Sequence, residues 1–467
     1  KPSWLQLGPS MPWSKRSKRW LALAALVAAI INVAWHGNSV SAVVLLCVLC
    51  ATTHTSLPLP VGDPFFTVLT SYLWPLALLS FFGGGVYLKQ LLNTSDSAQE
   101  RLHCVAMSTG LFVATMLLVC KGCLMRIAAG KVRMQFVDAG VPLTMQARCH
   151  NNQRRAPPPL MMRLNPLFSC CVRDGVLLSG GVVVQRRDVT GTGGFVDVWS
   201  QITEHEAAAA RPVLFFIHGG GWKGMSPRSH SGTCVHHALA AAGWVVVVCA
   251  YRKERWPQHI DDATTALEWA LELRGISQQQ QPLAIAGNSA GGHLAMLLTL
   301  RAVGRGISVI GCVLGYPAAD PYDEHGVYAS LPVGCWWPFR YRCSQSLLAW
   351  YFERMVLRGN AELWDSARPL QHELLSEFPP TLVFHGELDS LVPIEFSEQL
   401  LAALAAARPQ VAPPSDCLVR VPGLRHSVEM DGGEAVQVLL TGIVAWLGSR
   451  CHGHCSVIPN SLGVDAS

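Results

Sequence analysis

The chain has 467 residues, half of them hydrophobic and only 14% charged, with a formal net charge of +5. That length exceeds one average domain and that apolar balance is high for a wholly soluble protein, so a membrane portion is expected beside a globular one; a nucleic-acid-binding surface and a disordered chain are not. The 16 cysteines are scattered, several inside apolar runs (Cys47, Cys50, Cys104, Cys120), which fits buried free thiols in a reducing compartment better than a disulfide scaffold.

The sequence begins at Lys1 rather than at a methionine, which leaves a fragment, or initiation at Met11, as readings of the start. Residues 1–19 are a basic segment whose cluster Lys15, Arg16, Lys18 and Arg19 directly precedes an apolar run. Within 20–130 the apolar stretches Trp20–Trp35, Val40 to about Ala51, Phe65 to about Leu88 and Cys104–Cys120 give about four candidate membrane helices, the first two short for a span. Basic residues before the first and after the fourth (Lys121, Arg126, Lys131, Arg133) belong on the cytoplasmic side. The expectation is a multi-pass protein of an endomembrane or the plasma membrane, with everything beyond the spans in the cytosol. An alternative treats the start as a signal peptide with a cleavage-like Val40-Ser41-Ala42, which would put the later part in a lumen.

Residues 131–175 include a polar, proline-rich stretch (Arg154, Arg155, Pro157, Pro158, Pro159) and read as a linker. From 176 to 450 the pattern becomes alternating. β-rich runs at Val176–Val189 and Gly194–Trp199 are followed by apolar strands at Val213–Ile217, Trp244–Ala250, Leu283–Ala286, Val309–Leu314, Thr381–Phe384 and Leu418–Val421. Helical stretches lie around Cys234–Ala242, Asp261–Leu273, Ser289–Arg301, Ile394–Ala407 and Glu434–Leu447. Strand and helix in alternation predict an α/β domain with a mostly parallel central sheet covered on both faces. The interval 320–371 breaks the alternation and is rich in large aromatics, Trp336 and Trp337 among them. It reads as an insertion over the carboxyl edge of the sheet, its rings either packing the insertion or lining a pocket. Residues 451–467 are expected to be a disordered tail. Its Cys451-His452-Gly453-His454-Cys455 packs ligand types too tightly to surround one tetrahedral metal without a second element, so no metal is assigned.

The chemistry gathers at strand ends. Gly287-Asn288-Ser289-Ala290-Gly291-Gly292 follows an apolar strand and opens a helix, the context of a sharp turn that holds one hydroxyl above a sheet. His218-Gly219-Gly220-Gly221-Trp222 follows Val213–Ile217, and its glycines let backbone N–H groups turn inward as an oxyanion hole requires. A serine needs a base, and the base an acid to orient it. Asp389 lies in the loop after Thr381–Phe384 and His426 in the loop after Leu418–Val421. Glu387 is the rival acid, and His385 or His293 the rival base. Tyr251-Arg252, Trp256-Pro257 and Asp262 read as support for a loop rather than as chemistry.

On these motifs, the part from about Leu178 onward resembles the α/β-hydrolase superfamily, in its hormone-sensitive-lipase-like and carboxylesterase branch. The run Gly287–Ala295 is similar to bacterial membrane-associated esterases, and isoprenylcysteine methylesterases are a second neighbour. The resemblance implies Ser289 as nucleophile, His426 as general base then acid, Asp389 as its orienter, and the N–H groups of Gly220, Gly221 and Ala290 as the oxyanion hole. His218, Gly219, Trp222, Trp336 and Trp337 are the candidate substrate-binding residues. One departure is Ala250 before Tyr251, where relatives often carry an acid. The expected function is hydrolysis of apolar carboxylic esters without a cofactor. A methylesterase, a formamidase or other acyl hydrolase, and a non-catalytic small-molecule receptor on the same fold are the alternatives. The oligomeric state is left open.

Overall fold

The computed structural model describes residues 124–143 and, apart from short intervals of which 331–346 is the longest, residues 174–451. The expected basic segment, the apolar stretches up to Cys120, the cleavage-like site and the tail beyond Cys451 lie outside the described residues. No helix among the described residues is long and apolar enough to cross a membrane.

The apolar runs become one eight-stranded sheet: β1 (Val182–Val189), β2 (Gly194–Gln201), β3 (Val213–Ile217), β4 (Val245–Cys249), β5 (Leu283–Asn288), β6 (Gly311–Gly315), β7 (Thr381–Gly386) and β8 (Cys417–Val421). Their order across the sheet is β1-β2-β4-β3-β5-β6-β7-β8. β1 pairs with β2, and β2 with β4, in antiparallel fashion. Every pair from β4 across to β8 is parallel. The sequence explains the division. All five residues of β3 are buried, Val213, Phe215 and Ile217 in the core on one face and Leu214 and Phe216 in the core on the other. A strand apolar on both faces must be covered on both. β1 carries Gln185-Arg186-Arg187-Asp188, which stays exposed and suits an edge.

Helices α3 (Gln258–Arg274), α4 (Ala290–Gly304) and α6 (Glu395–Ala407) cover one face, through residues such as Ile260, Leu294 and Phe396. Helices α2 (Thr233–Ala241) and α7 (Glu434–Cys451) cover the other, through Leu239 and Leu439. In the insertion, the short helix α5 (Leu347–Tyr351) runs into a wider turn at Phe352–Val356, followed by single 3-10 turns.

One boundary falls differently from expectation. Residues 124–138, divided above between a membrane region and a linker, form a single helix, α1, packed on the same core as α2 and α7. Met125, Ala128, Ala129, Val132 and Phe136 are buried, and their three- and four-residue spacing puts them on one face. The Phe136 ring occupies the place a side chain at Gly442 of α7 would need, since a Cβ there would lie 2.1 Å from it. Beside it, Gln135 Nε2 donates to the Arg420 carbonyl at 2.9 Å and Gln135 Oε1 accepts the Arg420 N–H at 2.7 Å, so one amide side chain engages both backbone groups of a β8 residue.

Candidate active site

A parallel sheet aims the carboxyl ends of its strands at one edge, and the loops after β3, β5, β7 and β8 meet there. β5 leads into α4 through Ser289, whose backbone stands at φ 55 and ψ −124, a conformation that costs a residue with a Cβ. The turn is tight enough that a Cβ on Gly291 would lie 2.2 Å from the carbonyl oxygen of Ile217. The Ser289 N–H donates to Gly315 O at 2.8 Å, which ties the turn to β6.

Ser289 Oγ lies 3.0 Å from His426 Nε2, and His426 Nδ1 lies 2.7 Å from Asp389 Oδ2. The partners fix the proton positions. An ionised carboxylate only accepts, so Nδ1 carries the proton and Nε2 is left to accept from the serine hydroxyl. Asp389 is buried, and burial alone would raise its carboxyl. The interaction with His426 and the hydrogen bonds from His385 and His426 outweigh burial and hold the carboxyl well below the usual carboxylate range. Its other oxygen accepts the N–H groups of Leu391 at 3.0 Å and Val392 at 2.9 Å.

The rivals take different places. Glu387 is exposed, two residues before the buried Asp389. His385 is buried with Nε2 facing Asp389 Oδ2 at 3.1 Å and Val392 O at 2.8 Å; with two acceptors at Nε2, its Nδ1 takes the Ser397 hydroxyl at 2.7 Å. It braces the acid rather than the serine. His293 is buried in α4, donating from Nε2 to Ala367 O at 2.8 Å and accepting Trp222 Nε1–H at 3.2 Å, and burial lowers its pKa to about 4.

After β3 the glycine loop turns across the start of α4. Gly220 and Gly221 have φ of 118 and 57, the first of which only glycine adopts without strain. No acceptor among the described residues takes either N–H. Ala290 is the first residue of α4, where a helix leaves its N–H groups unpaired and the helix dipole favours negative charge. Tyr351 of α5 donates its hydroxyl to Gly221 O at 2.9 Å, so the insertion clamps this loop.

Of the expected substrate contacts, His218 and Trp222 are buried. His218 is buried, stacked on Tyr251 at 4.5 Å, with its Nδ1 facing Gly219 O, and burial lowers its pKa to about 3. Trp222 is 2% exposed, edge-on to His293 and Phe352. Both rings are packed against protein and support the glycine loop. Gly219 lies against the serine turn, where a Cβ would come 2.8 Å from Asn288 O. Trp336 and Trp337 lie outside the described residues; of the insertion's other rings, Phe352 and Trp364 are buried against Trp222 and each other. Tyr251, Arg252 and Asp262 form the expected brace: Tyr251 donates to His218 O at 3.1 Å, and Arg252 forms an ion pair with Asp262 at 2.7 Å.

The family model described as the alpha/beta hydrolase fold matches residues 214–427, which run from β3 through the His426 loop. This chain carries an α/β-hydrolase domain. Esterase LipC of Mycobacterium tuberculosis is 30% identical to it over 261 residues, which are 51% of this chain and 58% of LipC. The probable carboxylic ester hydrolase LipM of the same organism is 28% identical over 255 residues, 52% of this chain and 55% of LipM. The chain thus spans less than two thirds of the length of either relative. Among solved structures, the HSL homologue EstE7 from a metagenome library superposes with a TM-score of 0.47 at 21% identity, over 68% of this chain and 97% of that one.

Two polar groups of the hydrolase domain near the site, Tyr316 and Glu429, had no signal in the sequence, and a third, Tyr351, stood out only as one of the aromatics of the insertion. Tyr316, just after β6, sets its ring against His426 at 4.5 Å. Glu429 receives the Tyr316 hydroxyl and the Asn288 amide across 113 and 141 residues of chain. Tyr351 reaches the glycine loop across 130. No local pattern marks contacts at such separations.

Proposed function

We propose that the protein is a serine hydrolase that cleaves carboxylic esters through an acyl-enzyme. The observation that carries this reading is the connected series Ser289 Oγ, His426 Nε2, His426 Nδ1 and Asp389 Oδ2, with spacings of 3.0 and 2.7 Å at its two hydrogen bonds. Ser289 attacks the acyl carbon while its proton passes to His426 Nε2. Asp389, held ionised, faces the imidazolium that forms. The oxyanion is received by the N–H groups of Gly220, Gly221 and Ala290, each such donor being worth about 3 to 4 kcal/mol of transition-state stabilisation. His426 then gives its proton to the leaving alkoxide, and a water activated by the same nitrogen releases the acid and restores Ser289.

Likeness to LipC and LipM, both named for ester hydrolysis, supports esters over amides or formamides. A receptor has no need of a serine bonded to a base and an acid, so that alternative is set aside. The deciding assay is a p-nitrophenyl ester series of increasing acyl length with wild-type protein and Ser289→Ala. Activity that survives the substitution on every ester would end the hydrolase reading. We also propose that residues 20–120 anchor the chain in a membrane with this domain on the cytosolic side, a reading supported by the apolar runs and the flanking basic residues. A tag after Ser467 that resists protease in sealed microsomes would refute the cytosolic placement.

A further inference from the structure

Beneath the Ser289–His426 pair, three elements converge on one buried carboxylate. Glu429 lies in the 3-10 turn Val428–Met430 that follows His426, and it is fully buried. Its Oε1 accepts the Gly232 N–H at 3.0 Å, Asn288 Nδ2–H at 3.0 Å and the Tyr316 hydroxyl at 2.6 Å. Each donor belongs to a different part of the machinery. Asn288 is the last residue of β5, directly before Ser289. Tyr316 follows β6 and lays its ring against the His426 imidazole at 4.5 Å and 65°. Gly232 caps the start of α2, the end of a helix that favours an anion.

This arrangement meets a mechanical need. The Ser289 backbone is held at a strained φ, and such a residue persists only where its surroundings over-determine it. On its amino side the Asn288 amide is gripped by Glu429, and packing leaves that side chain little freedom, because its Oδ1 lies 2.4 Å from where a Cβ on Gly315 would stand. The same carboxylate oxygen orients the ring on which His426 rests. A carboxyl oxygen suits this task, since one atom accepts all three donors.

We propose that Glu429 is a positioning residue of the hydrolytic site: by holding Asn288 and Tyr316 with one oxygen, it sets Ser289 Oγ and His426 Nε2 at bonding distance while touching neither substrate nor reacting atoms. The inference rests on the reading of Ser289 as nucleophile and His426 as base. Nothing in the local sequence assigns Glu429 this part.

Three variants separate positioning from bulk stability. Glu429→Gln keeps an acceptor oxygen, Glu429→Leu removes it, and Tyr316→Phe removes one donor. For each, kcat and KM on p-nitrophenyl butyrate, the rate of Ser289 labelling by a fluorophosphonate, the melting temperature and a crystal structure are measured. A displacement of about 1 Å in a catalytic pair costs on the order of a hundredfold, the loss in kcat expected for Glu429→Leu with KM changed by less than about twofold. Glu429→Gln should recover about tenfold of that loss, since the amide keeps an oxygen to accept the same donors. Tyr316→Phe should lower kcat several-fold, and combining it with Glu429→Gln should cost less than the product of the two. The crystal structure of Glu429→Leu, or of the double variant where that protein does not fold, should show Oγ and Nε2 beyond hydrogen-bond distance. An unmoved pair, or folded variants with wild-type kcat, overturns the positioning role. Wild-type protein that neither turns over the ester nor labels at Ser289 sinks the hydrolase reading instead, and the geometry of the variants then decides the role of Glu429 by itself.

Discussion

Replacing Asp389 with asparagine preserves shape and exchanges one acceptor for a donor, and the surroundings make that exchange severe. In the native site Oδ1 accepts from the N–H groups of Leu391 and Val392, while Oδ2 accepts from His426 Nδ1 at 2.7 Å and His385 Nε2 at 3.1 Å. All four neighbours are donors, so an amide NH2 turned either way meets another donor. Turned toward His426, it is tolerated only if the imidazole moves its proton to Nε2, which then cannot accept from Ser289. Loss of the correct tautomer in this type of triad costs about 10,000-fold in kcat. At 1.36 kcal/mol per factor of ten, that is about 5.4 kcal/mol of transition-state stabilisation. The assay is steady-state hydrolysis of p-nitrophenyl butyrate with fluorophosphonate labelling in parallel, on protein whose fold is checked by its melting curve. A folded Asp389→Asn variant within tenfold of wild type would refute the argument from donor geometry. The same carboxyl bears on acid stability. Because its folded pKa is depressed, its stabilising contribution is complete above the unfolded value of about 3.9 and is lost as pH falls through the acid range below that, a dependence the asparagine variant should lack.

Gly291→Ala brings a Cβ to 2.2 Å from Ile217 O and 2.6 Å from His218 O, so the backbone entering the glycine loop must shift. A stability loss of about 1 to 3 kcal/mol, read as a lower melting temperature, and a fall in labelling rate are expected; unchanged values would refute the close approach of the turn to the glycine loop. Buried histidines set a second pH effect. Burial is the main cause that lowers His218 and His236 to about 3 and His259 and His293 to about 4, so the folded protein keeps them neutral. The unfolded chain binds those protons near pH 6.5, so stability is fully present above that pH and falls as pH drops toward the folded values, by about 2 kcal/mol for each histidine at pH 5. Melting temperatures should fall steeply between pH 6.5 and 5; a flat profile would contradict the buried neutral rings.

Much of the fold can be read along the chain because its strands are apolar on both faces. Val213–Ile217 is expected and observed with the same bounds, and Thr381–Phe384 extends only to Gly386. The grouping of Ser289, Asp389 and His426 follows from the same source, since parallel strands send their following loops to one edge. What escaped is tertiary. α1 sits in a stretch already apolar, so its packing face of Met125, Ala128, Val132 and Phe136 does not stand out from the run before it. His218 and Trp222 border the glycine motif in sequence, but β3 ends so close to α4 that both rings turn into the core. Glu429 lies three residues after His426, yet its meaning depends on donors at the end of β5, just after β6 and just before α2.

The contact between Gln135 and Arg420 bears on assembly. β8 is the last strand of the sheet, and an uncovered edge is a template on which a strand from a second molecule can pair. By engaging the Arg420 N–H and carbonyl with one amide, α1 occupies part of the edge that such a strand would use. A fragment trimmed to start at β1 would lose that cover together with the Phe136 ring seated at Gly442, and it would present a bare strand beside an apolar hollow. Self-association of the shortened protein, and a monodisperse counterpart that keeps residues 124–138, are the expected pair of outcomes by light scattering. The packed core of this domain therefore includes α1, well before its first strand.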